Sequence, residues 1–429
     1  MKRLLMTGLV LASPLVAHAQ LSFEDIDRAA AAVQPQVVEW RRWFHENPEL
    51  SNREFNTASR IAEILTEMGL EPTTGIAGTG VVAVIEGGKP GPLVAIRADM
   101  DGLPVTEETG LPFASKAMGE YNGEEVGVMH ACGHDTHMAM ALGAAKILND
   151  NRDQLPGRVM LIFQPAEEGP PVGEKGGASL MIEEGLFEPE MPEAVFGLHV
   201  GIGVPGGRFA TRAGPLMASS DRFVITVNGR QTHGARPWDG VDPVVTAAQI
   251  VIGLQTIASR QLDVTAAPSI ISVGRIEGGV RNNVIPDSVE LEGTIRAFDP
   301  AMRAQIHEAM ERTARSIAEA NGATIDWELE LGNPPVRNHA ALYDMMVPAL
   351  EHAAGAPLSP LNPQTVAEDF SEYAERTPSL FVFLGNWPEG VDPKTQPTNH
   401  SPMFDMHEPH LEHGVRAFGN MVITYLQQN

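Results

Sequence analysis

The sequence predicts a two-domain α/β protein: an α/β/α body with a mixed central sheet, interrupted by an inserted α+β (ferredoxin-like) domain. Three observations predict it. A chain of 429 residues with 43% apolar content is too long for one compact core and has enough apolar side chains for two. Short β-branched runs alternate with segments of helical period on both sides of residues 218–330. Within that interval the order is strand, helix, strand, strand, helix, strand, the split βαβ sandwich. The body is expected at 20–217 and 331–429, and the insertion at 218–330.

Residues 1–19 precede the body. They carry a basic start (Lys2, Arg3), an apolar run from Leu4 to Val16, and Ala17-His18-Ala19, a small-x-small cleavage signal. This is the pattern of a secretory signal peptide cut after Ala19, and it predicts a periplasmic or secreted protein. The run is shorter than the roughly 20 residues a membrane span needs and contains Pro14, and no other stretch is a candidate span. The formal charge of −25, from 30 basic and 55 acidic residues, argues against nucleic acid or an anionic membrane as partner. One cysteine excludes an intramolecular disulfide. In an oxidising compartment a lone thiol is better read as a buried metal ligand.

Apolar residues recur at helical spacing from Phe23 to Met68, with Asn47-Pro48 breaking the run into two covering helices. Gly80–Glu86 and Pro92–Ala98 read as strands joined by the tight loop Gly87-Gly88-Lys89-Pro90-Gly91. The second ends at Asp99-Met100-Asp101, where carboxylates at the carboxyl end of a buried strand face the crevice in which open α/β sheets hold ligands; a solvated turn is the alternative.

Met129-His-Ala-Cys-Gly-His-Asp-Thr-His137 follows, three histidines, an aspartate and the only cysteine in nine residues. Thiolate and imidazole bind borderline-soft divalent metals best, and Gly133 lets the backbone turn between Cys132 and His134. Met138–Leu148 continues as an alanine-rich helix. Strand Arg158–Phe163 then delivers Glu167-Glu168, an adjacent pair able to divide labour between metal and proton, or an ordinary surface pair. Ala194–Val200 is an apolar strand containing His199, a residue type that in such a place is usually a core histidine. Gly201-Ile-Gly-Val-Pro-Gly206 fits a dinucleotide fingerprint in letters, but no helix follows to receive a pyrophosphate.

In the insertion the strands are Asp221–Asn228, Ser269–Ile276, Ser288–Ala297 and Thr324–Leu331, and the helices Pro243–Gln261 and Met302–Asn321. The chain then returns to the body through the Tyr343–Gly355 helix, Glu368-Asp369-Phe370, the strand Ser379–Gly385, Thr398-Asn-His-Ser-Pro402 and a last helix through Leu426.

Taken in order, Arg-Ala-Asp-Met-Asp-Gly-Leu-Pro, Met-His-Ala-Cys-Gly-His-Asp, Pro-Ala-Glu-Glu-Gly, Leu-His-Val and Asn-His-Ser-Pro resemble the M20 metallopeptidase clan. The resemblance is to its amidohydrolase branch, which includes hippurate hydrolases, N-acyl-L-amino-acid amidohydrolases and hydrolases of indole-acetyl amino acids. It runs from about Val38 to the C-terminus and includes Gly229–Pro237 and Gly278–Asp287 of the insertion.

That resemblance implies a hydrolase of N-acyl amino acids, or a dipeptidase or carboxypeptidase on the same scaffold, with two divalent ions (Zn, Mn, Ni or Co) per subunit. It implies Cys132, His134, Glu168, His199 and His400 as metal ligands and Glu167 as the general base that takes a proton from water and passes it to the leaving amine. Asp101 corresponds to an aspartate that in related branches orients a metal-bound histidine, whose own place is taken here by Asp99. The insertion is implied to be a lid through which the protein forms a homodimer. There His233 resembles a histidine that reaches the neighbouring subunit's site, and Asn283 and Arg296 resemble substrate-binding groups, the arginine suited to a free carboxylate. Trp238 departs from the pattern, standing where a histidine is common.

Overall fold

The computed structural model describes residues 20–201 and 203–429; the signal-peptide reading of residues 1–19 lies outside them. The body is built on a seven-stranded mixed sheet in the order Thr73–Ile76, Gly80–Glu86, Pro156–Gln164, Lys89–Asp99, Ala194–Val200, Ser379–Leu384, Phe209–Ala210. The four strands from Pro156–Gln164 to Ser379–Leu384 run parallel, and antiparallel strands close both sides. Parallel strands are buried on both faces, which is why Ala194–Val200 and Ser379–Leu384 read as unbroken apolar runs.

Alternate residues supply two cores. Val94, Ile96 and Ala98 pack with Phe163, Phe196 and Val382 against the long helices Phe23–Glu46, His134–Asp150, Ala340–Ala354 and Leu411–Gln428. Leu93, Ala95, Ile162 and Phe381 face the other way, toward Ala178 and Met181 of the short helix Gly177–Glu183 and Tyr373 of Ser371–Ala374. No described helix is long and apolar enough to cross a membrane.

The inserted sheet is antiparallel, in the order Ser269–Glu277, Ser288–Ala297, Asp221–Asn228, Thr324–Glu330. Helices Pro243–Arg260 and Pro300–Ala320 pack on it around a separate apolar cluster that includes Phe223, Ile250, Leu291 and Met310. Each helix opens with an aspartate cap, Asp242 or Asp299, followed by proline at the first turn.

The structure departs from the sequence reading locally. The loop at Gly87–Gly91 joins no hairpin, because Pro156–Gln164 lies between the strands it connects. Its glycines serve close passage instead: a Cβ on Gly87 would stand 2.2 Å from the Gly157 carbonyl oxygen, and one on Gly88 2.6 Å from that of Asp153. The strand Thr73–Ile76 and the hairpin Met118–Tyr121/Glu124–Gly127 carry too few alternating apolar residues to stand out.

Arg41 ties the helix that starts at His134 to the segment that follows His400. Its guanidinium, 2% exposed, reaches Asp135 at 2.8 Å on the helix of His134 and Asp405 at 2.7 Å on the segment that follows His400. His45 sits between Asp135 (2.9 Å) and Glu107 (3.1 Å). Burial disfavours its charged form, but the two carboxylates outweigh burial and raise its pKa to about 9. A raised folded-state pKa stabilises fully below the unfolded value near 6.5, and the contribution is lost as pH rises through about 9. Replacing His45 by Gln is therefore expected to lower stability by roughly 3 kcal/mol at pH 6, taking about 1.4 kcal/mol per pKa unit. Urea midpoints of the two proteins should converge above pH 9.5; a constant gap between them would mean that His45 acts by packing alone.

Candidate metal centre

The site forms at the carboxyl ends of the parallel strands, where each following loop brings one or two polar side chains inward. Gly133 opens it. It adopts φ 97° directly before the helix that starts at His134, and a Cβ there would stand 2.4 Å from Val200 Cγ2. Only glycine allows Cys132 and His134 to enter the same crevice from either side of that turn.

Cys132 is the shared vertex. Its Sγ lies 3.3 Å from His199 Nε2 and 3.3 Å from His400 Nε2, and His400 Nε2 is 3.0 Å from Glu168 Oε1. Two donor groups overlap at the thiol, Cys132–His134–His199 and Cys132–Glu168–His400, and Glu167 joins His134 and Glu168 in a third. The five ligand candidates and Glu167 are thus brought together. Asn399 fastens the segment of His400 in place, donating from one amide to the carbonyls of Cys132 (3.0 Å) and Val200 (3.0 Å). Gly201 leaves room for that amide, since a Cβ there would stand 2.2 Å from Asn399 Oδ1.

The histidines are set up as ligands. His134 donates from Nδ1 to the Asp101 carbonyl (2.8 Å) and His199 from Nδ1 to the Val200 carbonyl (2.8 Å), turning each Nε2 toward the cluster. His134 Nε2 is fully buried without a hydrogen-bond partner, 3.8 Å from Glu167 and 3.9 Å from Asp99. A buried ring nitrogen with no hydrogen-bond partner, beside soft and hard donors, fits a divalent cation that would displace its proton.

Electrostatics point the same way. Burial, Glu168 and Glu167 push the Cys132 thiol well above its usual range. Burial opposes charge on His134, yet Asp99 and Asp101 raise its pKa to about 10. Glu167, with 9% of its side chain exposed, is raised well above a normal carboxyl by burial, then by Glu368 and Glu168. Glu368 rises to about 8, where burial outweighs the attraction of Arg97. The acidic groups outnumber the cations around them, and retained protons occupy the place of positive charge that metal ions would supply.

Asp101, 1% exposed, sits behind the ligand candidates. Its carboxylate accepts from the backbone of Glu167 (3.2 Å) and Glu168 (3.1 Å) and from Ser51 Oγ (2.7 Å), while its carbonyl orients His134. Asp99 accepts from His137 Nδ1 (2.6 Å), and Val200 N–H donates to the other nitrogen of that ring (2.9 Å). Behind them Arg97 donates to Asp99, Gln164, Glu368 and Asp369 at 2.6 to 2.9 Å. Glu54 accepts from Ala166 N–H (2.9 Å), steadying a residue at φ 52° next to Glu167.

Sequence reasoning gave Arg97, Glu54, His137 and Asn399 no role. The available signal was the i, i+2 spacing of Arg97 and Asp99, which places both on one face of a strand.

The insertion is placed otherwise. His233 is exposed in a short ladder with Val284, and its Nδ1 accepts from Ala235 N–H at 3.0 Å. Asn283 lies beside it, its carbonyl accepting from Gly234 at 2.9 Å. Arg296, on the strand Ser288–Ala297, faces away from the helices, opposite its buried neighbour Ile295. Among the described residues no hydrogen bond or ion pair joins these three to the metal-centre side chains.

A Cys/His/Glu cluster at the carboxyl ends of parallel strands, buried at Cys132, His134 and His199 and open to solvent at His400, with a spare carboxyl beside it, defines a metal-dependent hydrolase. Residues 95–424 match Peptidase family M20/M25/M40, and the chain belongs to that family. It is 39% identical over 407 residues to thermostable carboxypeptidase 1 of Saccharolobus solfataricus, covering 94% of this chain and 98% of that one. To an N-acyl-L-amino acid amidohydrolase of Geobacillus stearothermophilus it is 40% identical over 316 residues, 74% of this chain and 81% of the relative. Among solved structures, a Bacillus subtilis protein described as a dinuclear metal-binding peptidase of the M20 family superposes with TM-score 0.77 at 35% identity, covering 93% of this chain and all of that one.

Proposed function

We propose that this protein is an exported amidohydrolase that cleaves N-acyl amino acids to a carboxylic acid and a free amino acid, with two divalent ions held by Cys132, His134, Glu168, His199 and His400. The observation that carries the reading is the shared Cys132 vertex, with Glu167 beside it, 3.8 Å from His134 Nε2. Two ions at such a site lower the pKa of water and polarise the scissile carbonyl. Zn, Mn, Ni and Co all suit this donor set.

Glu167, its backbone pinned by Asp101, takes a proton from water and returns it to the leaving nitrogen. A catalytically silent binder would need ligands but no such base. The likeness to carboxypeptidase 1 of Saccharolobus solfataricus supports a second reading, removal of a C-terminal residue from a peptide.

In this proposal the lid acts across a homodimer. The strand Ser269–Glu277 forms one edge of the lid sheet and exposes Ile270 and Ile276, and Ile252 is 68% exposed on the helix Pro243–Arg260. Pairing there brings His233 of one subunit over the centre of the other, with Asn283 and Arg296 toward the substrate. Metal-reconstituted protein is to be assayed on N-acetyl, N-benzoyl and long-chain N-acyl amino acids alongside blocked dipeptides. The amidohydrolase reading fails if only the peptides are cleaved. Mixing inactive His233→Ala and Glu167→Gln homodimers is expected to restore up to about half the wild-type sites in each heterodimer by two-fold counting. Verified heterodimers without activity would place His233 in its own subunit's site or in none.

A further inference from the structure

We infer that the acyl half of the substrate is bound by the body alone, in a cavity of about 340 Å³ walled by Leu50, Leu103, Pro104, Tyr121 and Val172 and ending at Glu168. This rests on the amidohydrolase reading and adds to it the substrate class: amino acids carrying a medium-length alkyl or an aryl acyl group rather than acetyl.

The cavity adjoins the metal centre at Glu168, which lines it and also contacts His400 at 3.0 Å. Its floor is backbone-paired and fixed. Leu50 bridges Gly102, and Leu103 bridges Met129, three residues before Cys132. The hairpin Met118–Tyr121/Glu124–Gly127 seats on that floor through Gly119, where a Cβ would stand 2.9 Å from Leu50 Cδ1. Its tip presents Tyr121, 42% exposed, across from Val172, 90% exposed on the loop that follows Glu168. Two exposed apolar side chains on separate loops, facing one cavity, contribute nothing to either core. They form the walls an apolar ligand group would cover.

Charge fixes which half of the substrate enters. The ionic side chains in the lining are Arg53, Glu120 and Glu168. Arg53 is committed to Glu174, at 2.6 and 3.0 Å. No uncommitted cation remains among the described lining residues, so the pocket repels a free carboxylate and accepts a neutral acyl group. The amino-acid half, with its carboxylate, then points away from this pocket.

The test compares N-acetyl, N-hexanoyl, N-octanoyl and N-benzoyl derivatives of one amino acid with metal-loaded wild type, Val172→Trp and Tyr121→Ala. Each methylene buried is worth about fourfold in kcat/KM, so hexanoyl should exceed acetyl by up to about 10²-fold in wild type. Val172→Trp fills the cavity from a surface position, and Tyr121→Ala removes a wall. Both are expected to lower the hexanoyl-to-acetyl ratio of kcat/KM, Val172→Trp by tenfold or more and mainly through KM, with metal content equal to wild type. Hydrolysis of acyl amino acids with the same ratio in all three proteins would overturn the pocket alone. Failure of wild type to cleave any acyl amino acid would overturn this inference together with the amidohydrolase reading.

Discussion

Glu167→Gln is expected to keep its full complement of metal and to lose activity on the order of 10²-fold or more in kcat, the usual cost of deleting a general base. The structure explains why the two effects separate. The Glu167 backbone is held by Asp101, so the amide replaces the carboxyl without moving the loop, and the five ligand candidates are untouched. Glu168→Gln should do the reverse. It weakens the contact with His400 and the Cys132–Glu168–His400 group, so metal content falls first and activity follows. Metal analysis beside single-turnover rates on each variant decides the matter; if Glu167→Gln loses metal and Glu168→Gln retains it, the two roles are exchanged.

Cys132→Ala carries the second large effect. Because the thiol belongs to both donor groups, its removal affects both ion positions at once, whereas loss of His199 or His400 affects one. Metal affinity is expected to fall beyond the roughly 10 to 100-fold that follows loss of an outer partner of a metal ligand. The variant should purify with well under one ion per chain. Stability supplies a second readout. An ion at 100 times its dissociation constant stabilises the fold by about 2.7 kcal/mol, so adding metal to stripped wild type should raise Tm, and adding the same concentration to Cys132→Ala should not. Equal metal stoichiometry in the two proteins would remove the thiolate from the centre.

What the sequence determined by itself is what local spacing encodes. The alternation in Asp221–Asn228 and Ser288–Ala297 placed those strands to the residue, and the helical apolar runs of the insertion placed its helices to within two residues, because burial on one face imposes a period within a few residues. Cys132-Gly133-His134 was legible for the same reason: two donors around one turn are a local fact. Glu168, His199 and His400 became a constellation in sequence only through the family pattern, since each taken alone is an ordinary residue for its setting.

Tertiary structure decided the rest. His199 and His400 stand 67 and 268 residues from Cys132 and meet it at 3.3 Å because the strand order places their loops side by side, and strand order is a long-range pairing that no local period contains. The same holds for Pro156–Gln164, which separates two strands joined only through Gly87-Gly88, and for Arg97, whose partners Glu368 and Asp369 lie 271 and 272 residues away. The raised pKa values of His134 and Glu368 depend on burial among those distant charges. Residue types fix which groups can ionise; only the folded arrangement sets the dielectric and the neighbours that decide which of them hold a proton and which would yield it to a metal.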